Sequence, residues 1–469
     1  MFYAPGNIIA YFALIAFPFL ALYLFSRKPV AEAIVWSIVL GYLILPVRTF
    51  IDPPLFPSID KSFLPALTAL GLVYIFGRER LQILPRNPMA RLFLVSLIFI
   101  PTISGLANTD PIIIGDTSLP GMSVFSGEGI SLMMSEFALL VPFILGRQFL
   151  ADEEMLRKLI RIMAVCGVFY TFAIMWEIRM SPQLHAQLYG YFPHSFAQQM
   201  REGGFRAVVF LGHGLLTALF LVVTLVTLTY FARNQQRVFG VNALIPIVFV
   251  LIAIAFNKSY AAYIYTIFVI GFCFFLSSRL RRVALVSISV LVVIYPIFRS
   301  SDFYPDDQIL GFASRFSEDR ASSLQFRYDN ENILLEKVAR RPIFGWGGWG
   351  RNRVYDENGN DISVTDGGWI IDLGIYGWLG FICKYMLLVW PIFLWFKIKK
   401  YTGDQKKIDE VTTLSCVVSI ILLDNLINSG ISPIVWLISG ALMGAAEKKL
   451  YKSPTNLRAQ VNSSFNALR

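Results

Sequence analysis

The sequence predicts an all-α protein that crosses a membrane many times. Of its 469 residues, 56% are hydrophobic and only 15% are charged, whereas a soluble domain carries about 25% charged residues. Apolar runs that approach the roughly 20 residues of a spanning helix recur along the whole chain. This composition excludes a disordered chain, a disulfide-rich scaffold and an ordinary soluble enzyme.

We predict about thirteen spans from the apolar runs, with no internal repeat among them. The runs lie near 7–25, 31–47, 63–77, 92–107, 129–146, 159–177, 207–231, 241–256, 259–276, 283–298, 367–396, 411–428 and 432–446. Ten spans therefore precede residue 298, a large outer loop covers 299–366, three spans occupy 367–446, and 447–469 form a tail.

Lys and Arg side chains lie mainly at alternate ends of these runs, which orients the chain by the positive-inside rule. The first run follows the uncharged segment MFYAPGN and precedes Arg27 and Lys28. We therefore predict an uncleaved first span with its N-terminus outside and the C-terminal tail in the cytoplasm. The net charge of +10 is then explained by cytoplasmic loops, so nucleic acid is not an expected partner.

Three long polar loops fall on the predicted outer face, at 108–128, 181–206 and 299–366. Loops of this length are uncommon unless they are functional. We therefore expect the chemistry at the outer face.

Cysteine and histidine residues do not indicate a metal site. The four cysteines lie in apolar runs without CxxC spacing and are predicted to be buried thiols. The three histidines, His185, His194 and His213, are too few and too widely spaced to suggest a metal cluster, and His194 and His213 are interpreted as structural or interfacial.

The most distinctive segment lies in the third outer loop. An amphipathic helix is predicted at about Ser322–Val338, and it ends at Arg340-Arg341-Pro342. A glycine-rich turn, Gly345-Trp346-Gly347-Gly348-Trp349-Gly350, follows, and the chain re-enters the membrane at Gly367.

This arrangement resembles the superfamily of bacterial O-antigen ligases and O-antigen or exopolysaccharide polymerases. The resemblance is carried by Arg327 on the outer helix, Pro342-Ile343-Phe344-Gly345-Trp346-Gly347, Asp366 before a span, Gly374-Ile375-Tyr376-Gly377, the upstream Gly203-Gly204-Phe205-Arg206, and the turn Asn257-Lys258-Ser259. Two positions depart from the ligase pattern. Ligases commonly have His-Asn at Asp366-Gly367 and Arg at Lys258, and an Asp at position 366 is more similar to the exopolysaccharide polymerases.

The resemblance implies a metal-independent membrane glycosyltransferase without a cofactor, in the bacterial inner membrane, with its active site facing the periplasm. Its donor would be an undecaprenyl-pyrophosphate-linked glycan and its acceptor another glycan, with other polysaccharide assembly proteins as further partners. Polymerisation of lipid-linked repeats is the first hypothesis, and transfer of the finished glycan to a lipid A core is the second. A lipid-linked glycan flippase or a transporter is the alternative from another class, although transporters usually contain paired repeats.

Two arginines and one aspartate are the principal site predictions. Arg206 and Arg327 are expected to hold the donor pyrophosphate, because guanidinium forks bind and stabilise phosphate charge. Arg206 is alternatively a headgroup anchor, and Arg327 alternatively pairs with Asp329 or Glu331. Asp366 is the candidate general base, and a helix cap is the other interpretation of this residue.

Five further substrate contacts are predicted, and a structural alternative is weighed for Arg320 and for the two tryptophans. They are Lys258, Arg320, Trp346, Trp349 and Asp372. Lys258 occupies a short turn, Arg320 alternatively belongs to a solvated helix face, and the two tryptophans stack on sugars or anchor at the membrane interface. Asp372 is expected to face the outer cavity, and Glu136 and Lys384 are considered as an intramembrane pair.

Overall fold

The structure is a computed structural model. It describes residues 6–53, 57–115, 117–122, 128–201, 203–301, 303–315, 317–348, 350–398 and 408–451. Trp349 and the tail from residue 452 lie outside the described residues.

The described residues form sixteen α-helices with very little strand. The helices are α1 Ile8–Arg27, α2 Val30–Ile44, α3 Leu64–Phe76, α4 Pro88–Leu106, α5 Glu128–Phe149, α6 Glu153–Met180, α7 Leu184–Tyr189, α8 Gly214–Arg233, α9 Leu244–Phe256, α10 Tyr260–Ile270, α11 Ser278–Arg299, α12 Asp306–Ser314, α13 Glu318–Ala339, α14 Gly368–Ile398, α15 Glu410–Asp424 and α16 Pro433–Leu450. Three short antiparallel ribbons pair β1 Ile112–Ile114 with β2 Thr117–Leu119, β3 Met200–Arg201 with β4 Gly204–Phe205, and β5 Arg237–Val238 with β6 Val241–Asn242. A 3₁₀ turn lies at Ala197–Gln199 and a π-helical segment at Gly271–Phe275.

The all-α polytopic fold is confirmed, and each predicted run contains a helix. Seven helices among the described residues are long and apolar enough to cross a membrane, namely α1, α4, α5, α6, α8, α11 and α14. Four shorter apolar helices are α2, α3, α9 and the stretch Tyr260–Phe275. The total of thirteen spans and the division of the chain into domains stay predictions.

The core of the bundle is formed by α8, α15 and α16, whose side chains are nearly all buried. Helices α1 and α11 instead expose large apolar side chains, as expected of helices that face lipid. The four cysteines are buried and free, as predicted.

Helix α14 is broken at Gly377, a feature that hydropathy did not reveal. Gly377 has φ 65° and ψ −173°, which no helical residue adopts. Lys384 Nζ lies 2.6 Å from Asp372 Oδ1, although residues twelve apart in a straight helix are separated by about 18 Å. The chain therefore bends sharply at Gly377, and the predicted run 367–396 is two helical pieces.

The glycine-rich turn fills this break. The turn and the residues just before it make four backbone hydrogen bonds with α14. Trp346 N donates to Gly374 O, and Gly347 N donates to Ile375 O. In the other direction, Trp378 N donates to Pro342 O, and Leu379 N donates to Ile343 O. A broken helix inside a membrane protein is tolerated where other protein groups satisfy its backbone. The two glycine motifs of the sequence, at 345–350 and 374–377, are thus one structural unit.

Alanine at Gly377 is expected to destabilise the protein by roughly 3 kcal/mol or more. A Cβ atom there would overlap the Ile343 carbonyl group, and the positive φ disfavours any side chain. Gly348→Ala is the matched control, because a Cβ atom at that residue would meet open space. Thermal unfolding in detergent measures both variants, and equal melting temperatures would contradict this account of the break.

The outer loop after α4 packs against the same turn. Asn108 Nδ2 donates to Gly345 O at 3.0 Å, and Arg341 pairs with Asp110 at 2.7 Å. Arg351, which is only 2% exposed, donates to Pro120 O at 2.8 Å. Arg341 and Arg351 therefore connect the large outer loop to the outer loop after α4.

The large outer loop is partly helical, as the sequence predicts. Its main helix, α13, begins at Glu318, ahead of the predicted start at Ser322, and a second helix, α12, was not predicted. Arg299 at the end of α11 is 3% exposed and donates to Glu331 on α13 at 2.8 Å. This buried pair fixes α13 over the bundle.

Reporter fusions test the predicted orientation. A fusion after Arg237, in the ribbon between α8 and α9, is expected to report cytoplasm, because the basic residues there favour that side. A fusion near Asp356 in the large loop is expected to report periplasm. A cytoplasmic signal near Asp356 would contradict both the orientation and the expected outer location of the chemistry.

Candidate functional site

A cleft of about 630 Å³ opens at one end of the bundle, where several loops and α13 meet. It is lined by segments that are distant in sequence: Val47 and Arg48, 193–216, Arg327, 353–366, and Asn428 with Ser429. The second and third polar outer loops of the sequence therefore meet here. Loops carried on a rigid helical scaffold are a common place for a site.

The lining of the cleft is strongly cationic. Its described residues include five arginines and a single acidic side chain, which is Asp366. The arginines are Arg48, Arg201, Arg206, Arg327 and Arg353. Such a concentration of guanidinium groups favours an anionic ligand, and phosphate groups match their fork geometry.

Arg206 is the most buried of these arginines, at 7% exposure. Its Nη2 donates to Lys258 O at 3.1 Å, while its Nε has no hydrogen-bond partner among the described residues. Burial, and to a smaller extent the neighbouring Arg201, lowers the pKa of the Arg206 guanidinium. Burial and the charge of Arg201 both destabilise the protonated guanidinium of Arg206, and an anion bound in the cleft would offset this destabilisation.

The turn at Lys258 lies behind Arg206 and holds its loop. Lys258 Nζ donates to Arg201 O at 3.0 Å, and Asn257 Oδ1 accepts from Ala207 N at 2.9 Å. Lys258 has φ 51°, and it is not among the residues that line the cleft. These contacts position the arginine loop, and the predicted contact of Lys258 with substrate stays a prediction.

Arg327 and Asp366 face each other across the cleft. Arg327 Nε is 3.3 Å from Asp366 Oδ2, and the two side chains are 37% and 42% exposed. Asp329 and Glu331, the alternative partners of Arg327 considered from the sequence, have other contacts. Glu331 accepts from Arg299, and Asp329 accepts from Gln325. The outer helix and the start of α14 are thus joined by an accessible ion pair.

Asp366 precedes the cap position of α14. The helix begins at Gly368, whose N–H donates to Asn425 O at 2.9 Å. Its first backbone donor is therefore satisfied by the turn after α15. Asp366 remains directed toward Arg327 in the cleft.

Arg353 completes this wall of the cleft. Its Nη1 is 2.5 Å from Asp361 Oδ2, and its Nη2 donates to Thr365 Oγ1 at 3.4 Å. The pair fixes the segment that leads to Asp366.

Two histidines line the opposite side. The rings of His194 and His213 are perpendicular, with centroids 4.6 Å apart. Burial, then His194 and the nearby arginines, lowers the pKa of His213 to about 4, so His213 is neutral at pH 7. Its Nδ1 accepts from Leu215 N at 3.1 Å. The proton is therefore assigned to Nε2, which gives His213 one N–H donor.

The remaining predicted contacts lie away from this cleft or outside the described residues. Trp346 is buried, its Nε1 donates to Lys337 O at 2.7 Å, and Lys337 and Arg341 lie over its ring. A sugar would have to compete with these cations for the indole. Arg320 lies within α13, but its side chain, like Trp349, is outside the described residues.

Asp372 is part of a buried polar network in α14. It pairs with Lys384 at 2.6 Å and accepts from Tyr385 OH at 3.1 Å. Glu136 accepts instead from Tyr376 OH. Lys384 therefore forms its ion pair with Asp372, and not with Glu136 as considered from the sequence. Asp372 is not among the residues that line the cleft.

Three cleft arginines were not predicted as site residues. Arg201 belongs to the same REGGFR run as Arg206, so its charge in a polar outer loop was an available signal. Arg48 and Arg353 are single basic residues in ordinary loop contexts. Only the folded arrangement brings these two into the cleft.

Comparison with known families bears on this geometry. Residues 245–383 match the family model described as O-antigen ligase. The matched segment contains Lys258, Arg327, Asp366 and the break at Gly377, whereas Arg206 precedes it. The resemblance inferred from the motifs is confirmed, and the match supports a membrane protein of the O-antigen ligase and polymerase superfamily.

The family assignment indicates a ligase- or polymerase-type function. Members of this O-antigen ligase family are glycosyltransferase-like enzymes, which implies lipid-linked glycan substrates in a membrane. A comparison with curated proteins gave no significant match.

Proposed function

We propose that the protein is a glycosyltransferase that polymerises polyprenyl-pyrophosphate-linked oligosaccharide repeats in the cleft, at the periplasmic face of the inner membrane. The observation that carries the proposal is the meeting of five arginines and one carboxylate in a single cleft of about 630 Å³. The arginines match a pyrophosphate leaving group, and the carboxylate matches the need for a base.

Charge and hydrogen bonding favour the arginine side of the cleft for the donor. The pyrophosphate lies between Arg206 and Arg327, with Arg48 and Arg201 adding positive potential. The Nε of Arg206, which has no partner among the described residues, is assigned as a further donor. His213 Nε2–H donates to a sugar or phosphate oxygen. Guanidinium groups that are already in place stabilise the charge that develops on the leaving group.

The transfer is a single displacement. The acceptor hydroxyl oxygen attacks the anomeric carbon of the donor glycan, and a new glycosidic C–O bond forms as the C–O bond to pyrophosphate breaks. The hydroxyl proton passes to Asp366, and polyprenyl pyrophosphate leaves with the bonding electron pair. Asp366 then returns the proton to solvent, which its 42% exposure permits.

The ion pair of Arg327 with Asp366 links donor binding to activation of the acceptor hydroxyl. Asp366 Oδ2 lies 3.3 Å from Arg327 Nε. A bound pyrophosphate competes for Arg327 and releases the carboxylate toward the acceptor hydroxyl. Because both side chains are accessible, this exchange needs no opening of the helical core.

Turnover of a defined donor tests the proposal. Purified protein in liposomes is supplied with a polyprenyl-pyrophosphate oligosaccharide, and released polyprenyl pyrophosphate and glycan length are measured. Growth of the glycan with stoichiometric release of lipid pyrophosphate is expected. Movement of the intact donor across the bilayer, without bond cleavage, would identify a flippase instead.

Ligation is the second candidate, because the matching family model is described as O-antigen ligase. The two functions use the same donor and differ in the acceptor. Adding lipid A core as a competing acceptor separates them: a polymerase extends the lipid-linked repeat, and a ligase transfers glycan to the core.

Chelation of divalent metals is expected to leave turnover unchanged within about twofold. The arginines of the cleft supply the positive charge that a metal would otherwise bring to the pyrophosphate. Turnover is measured with and without EDTA after the protein has been equilibrated in metal-free buffer. A loss that added Mg²⁺ or Mn²⁺ restores would show that the arginines do not suffice.

A further inference from the structure

A second polar cavity lies at the other end of α8. This helix begins beside the cleft at Gly214 and ends at Arg233, about 30 Å away along its axis. An open cavity of about 860 Å³ is lined there by the end of α8, the β5–β6 ribbon, the start of α9 and the π-helical segment. The transfer reaction proposed above does not use this cavity.

The lining of the cavity combines cationic and polar side chains with apolar ones. The cationic and polar residues are Arg233, Arg237, Gln235, Gln236 and Asn242. The apolar residues include Leu244, Ile245 and Phe274. No acidic residue is found among the described residues that line it. The cavity therefore offers positive charge and amide donors next to hydrocarbon.

Arg233 has an unused donor at this position. Its Nε is buried and has no hydrogen-bond partner within the described part of the chain. Its guanidinium carbon lies 5.6 Å from the centroid of the Phe274 ring, which holds the side chain against the cavity wall. A buried donor without a partner is costly, and an anionic acceptor would satisfy it.

The backbone around the cavity is fixed in uncommon conformations. Gln235 and Phe239 each have φ 54°, which is rare for residues other than glycine. Gln236 N donates to Phe231 O at 2.8 Å, and Asn234 Nδ2 donates to Ile408 O at 2.8 Å. The π-helical segment adds a second irregularity of a kind that is frequent at functional sites.

The surroundings of the cavity match the boundary between headgroups and acyl chains. Phe239, Leu244, Ile245 and Phe275 are exposed at 49%, 52%, 62% and 81%, so an apolar surface borders the basic side chains. The positive-inside rule predicts this end of α8 to face the cytoplasm, where the leaflet carries anionic lipids.

We propose that this cavity binds the headgroup of an anionic phospholipid. The phosphate accepts hydrogen bonds from Arg233 and Arg237, the glutamines bind the remaining headgroup oxygens, and the acyl chains lie along Leu244 and Ile245. A free phosphate shares the anionic chemistry but lacks the apolar part. The lipid is therefore the ligand that contacts both the cationic and the apolar residues of the cavity lining.

Lipid retention measured by native mass spectrometry tests this site. The full chain in detergent is titrated with phosphatidylglycerol, with phosphatidylcholine and, separately, with inorganic phosphate. Preferential binding of phosphatidylglycerol is expected, and the double variant Arg233→Gln/Arg237→Gln should weaken it about tenfold or more. The exposed Arg237 is also changed alone, so that a variant expected to fold is available.

Arg279→Gln is the matched control. Arg279 is an exposed arginine at the start of α11 and does not line the cavity. It is expected to retain phosphatidylglycerol as the unmodified protein does. Equal losses in the control and cavity variants, equal binding of phosphatidylcholine, or equally tight binding of inorganic phosphate would each overturn the proposal. Glycan transfer is not part of this readout, so the two proposals fail independently.

Discussion

Replacing Arg327 with alanine is expected to slow glycan transfer by about 30- to 1000-fold, which corresponds to roughly 2–4 kcal/mol in the barrier. In the proposed reaction the guanidinium stabilises charge on the departing pyrophosphate, and this interaction strengthens as the C–O bond to pyrophosphate breaks. Arg327 is 37% exposed and lies over the cleft rather than in the core, so its removal should leave the fold intact. Initial rates of lipid-pyrophosphate release, at matched protein levels in membranes, measure the effect.

Lysine substitutions separate charge from geometry. Arg327→Lys keeps the charge but loses the planar fork, so it is expected to remain impaired. Arg206→Lys should behave similarly, although Arg206 also holds the Lys258 carbonyl and its alanine variant would disturb the loop. The control is Arg340→Ala, since Arg340 is an exposed residue at the C-terminal end of α13 outside the cleft. A normal rate for Arg327→Ala would remove Arg327 from the donor site.

Hydropathy predicted the helices well because each span needs a long apolar run, and such runs are visible in one dimension. It could not reveal that α14 is broken. The stretch 367–396 is one predominantly apolar run, interrupted only by Asp372 and Lys384, and Gly377 has the same appearance as any glycine in a span. The break depends on hydrogen bonds from the glycine-rich turn, which belongs to the preceding outer loop. Only the folded chain brings these backbone groups together.

The same limit applies to charged residues inside α14. Asp372 and Lys384 are twelve residues apart, a spacing that places them far apart on a straight helix. Sequence reasoning expected Asp372 to face the outer cavity because it follows Asp366 by about one and a half turns, and it considered Lys384 as a partner of Glu136. Because the helix bends at Gly377, Asp372 and Lys384 form an ion pair instead.

The candidate site was only partly visible in the sequence. Arg206, Arg327 and Asp366 were selected through family motifs, and all three line the cleft. Arg48 and Arg353 belong to no such motif, and their proximity results from tertiary packing. Lys258 belongs to a motif, yet its described hydrogen bond to Arg201 O supports the loop that carries Arg206.

Replacing Asp366 with asparagine is expected to reduce turnover about 100-fold or more, because the acceptor hydroxyl loses its base. The substitution preserves shape. The backbone of α14 should also be unaffected, since its first N–H is bound by Asn425 O and not by this side chain. Melting temperatures of the two proteins should therefore be equal, and the loss should appear in kcat.

Donor affinity distinguishes this prediction from a merely structural role for Asp366. The carboxylate lies 3.3 Å from Arg327 Nε, so it would compete with the proposed donor pyrophosphate for this arginine. Asp366→Asn removes the competing charge, and the donor is expected to bind at least as tightly as before while transfer fails. Asp329→Asn, on the same helix as Arg327 but bound to Gln325 at 2.6 Å, is the control for loss of one negative charge and should transfer normally. Normal turnover by Asp366→Asn would exclude Asp366 as the base, whereas weaker donor binding would show that its ion pair orients Arg327 for the pyrophosphate instead of competing with it.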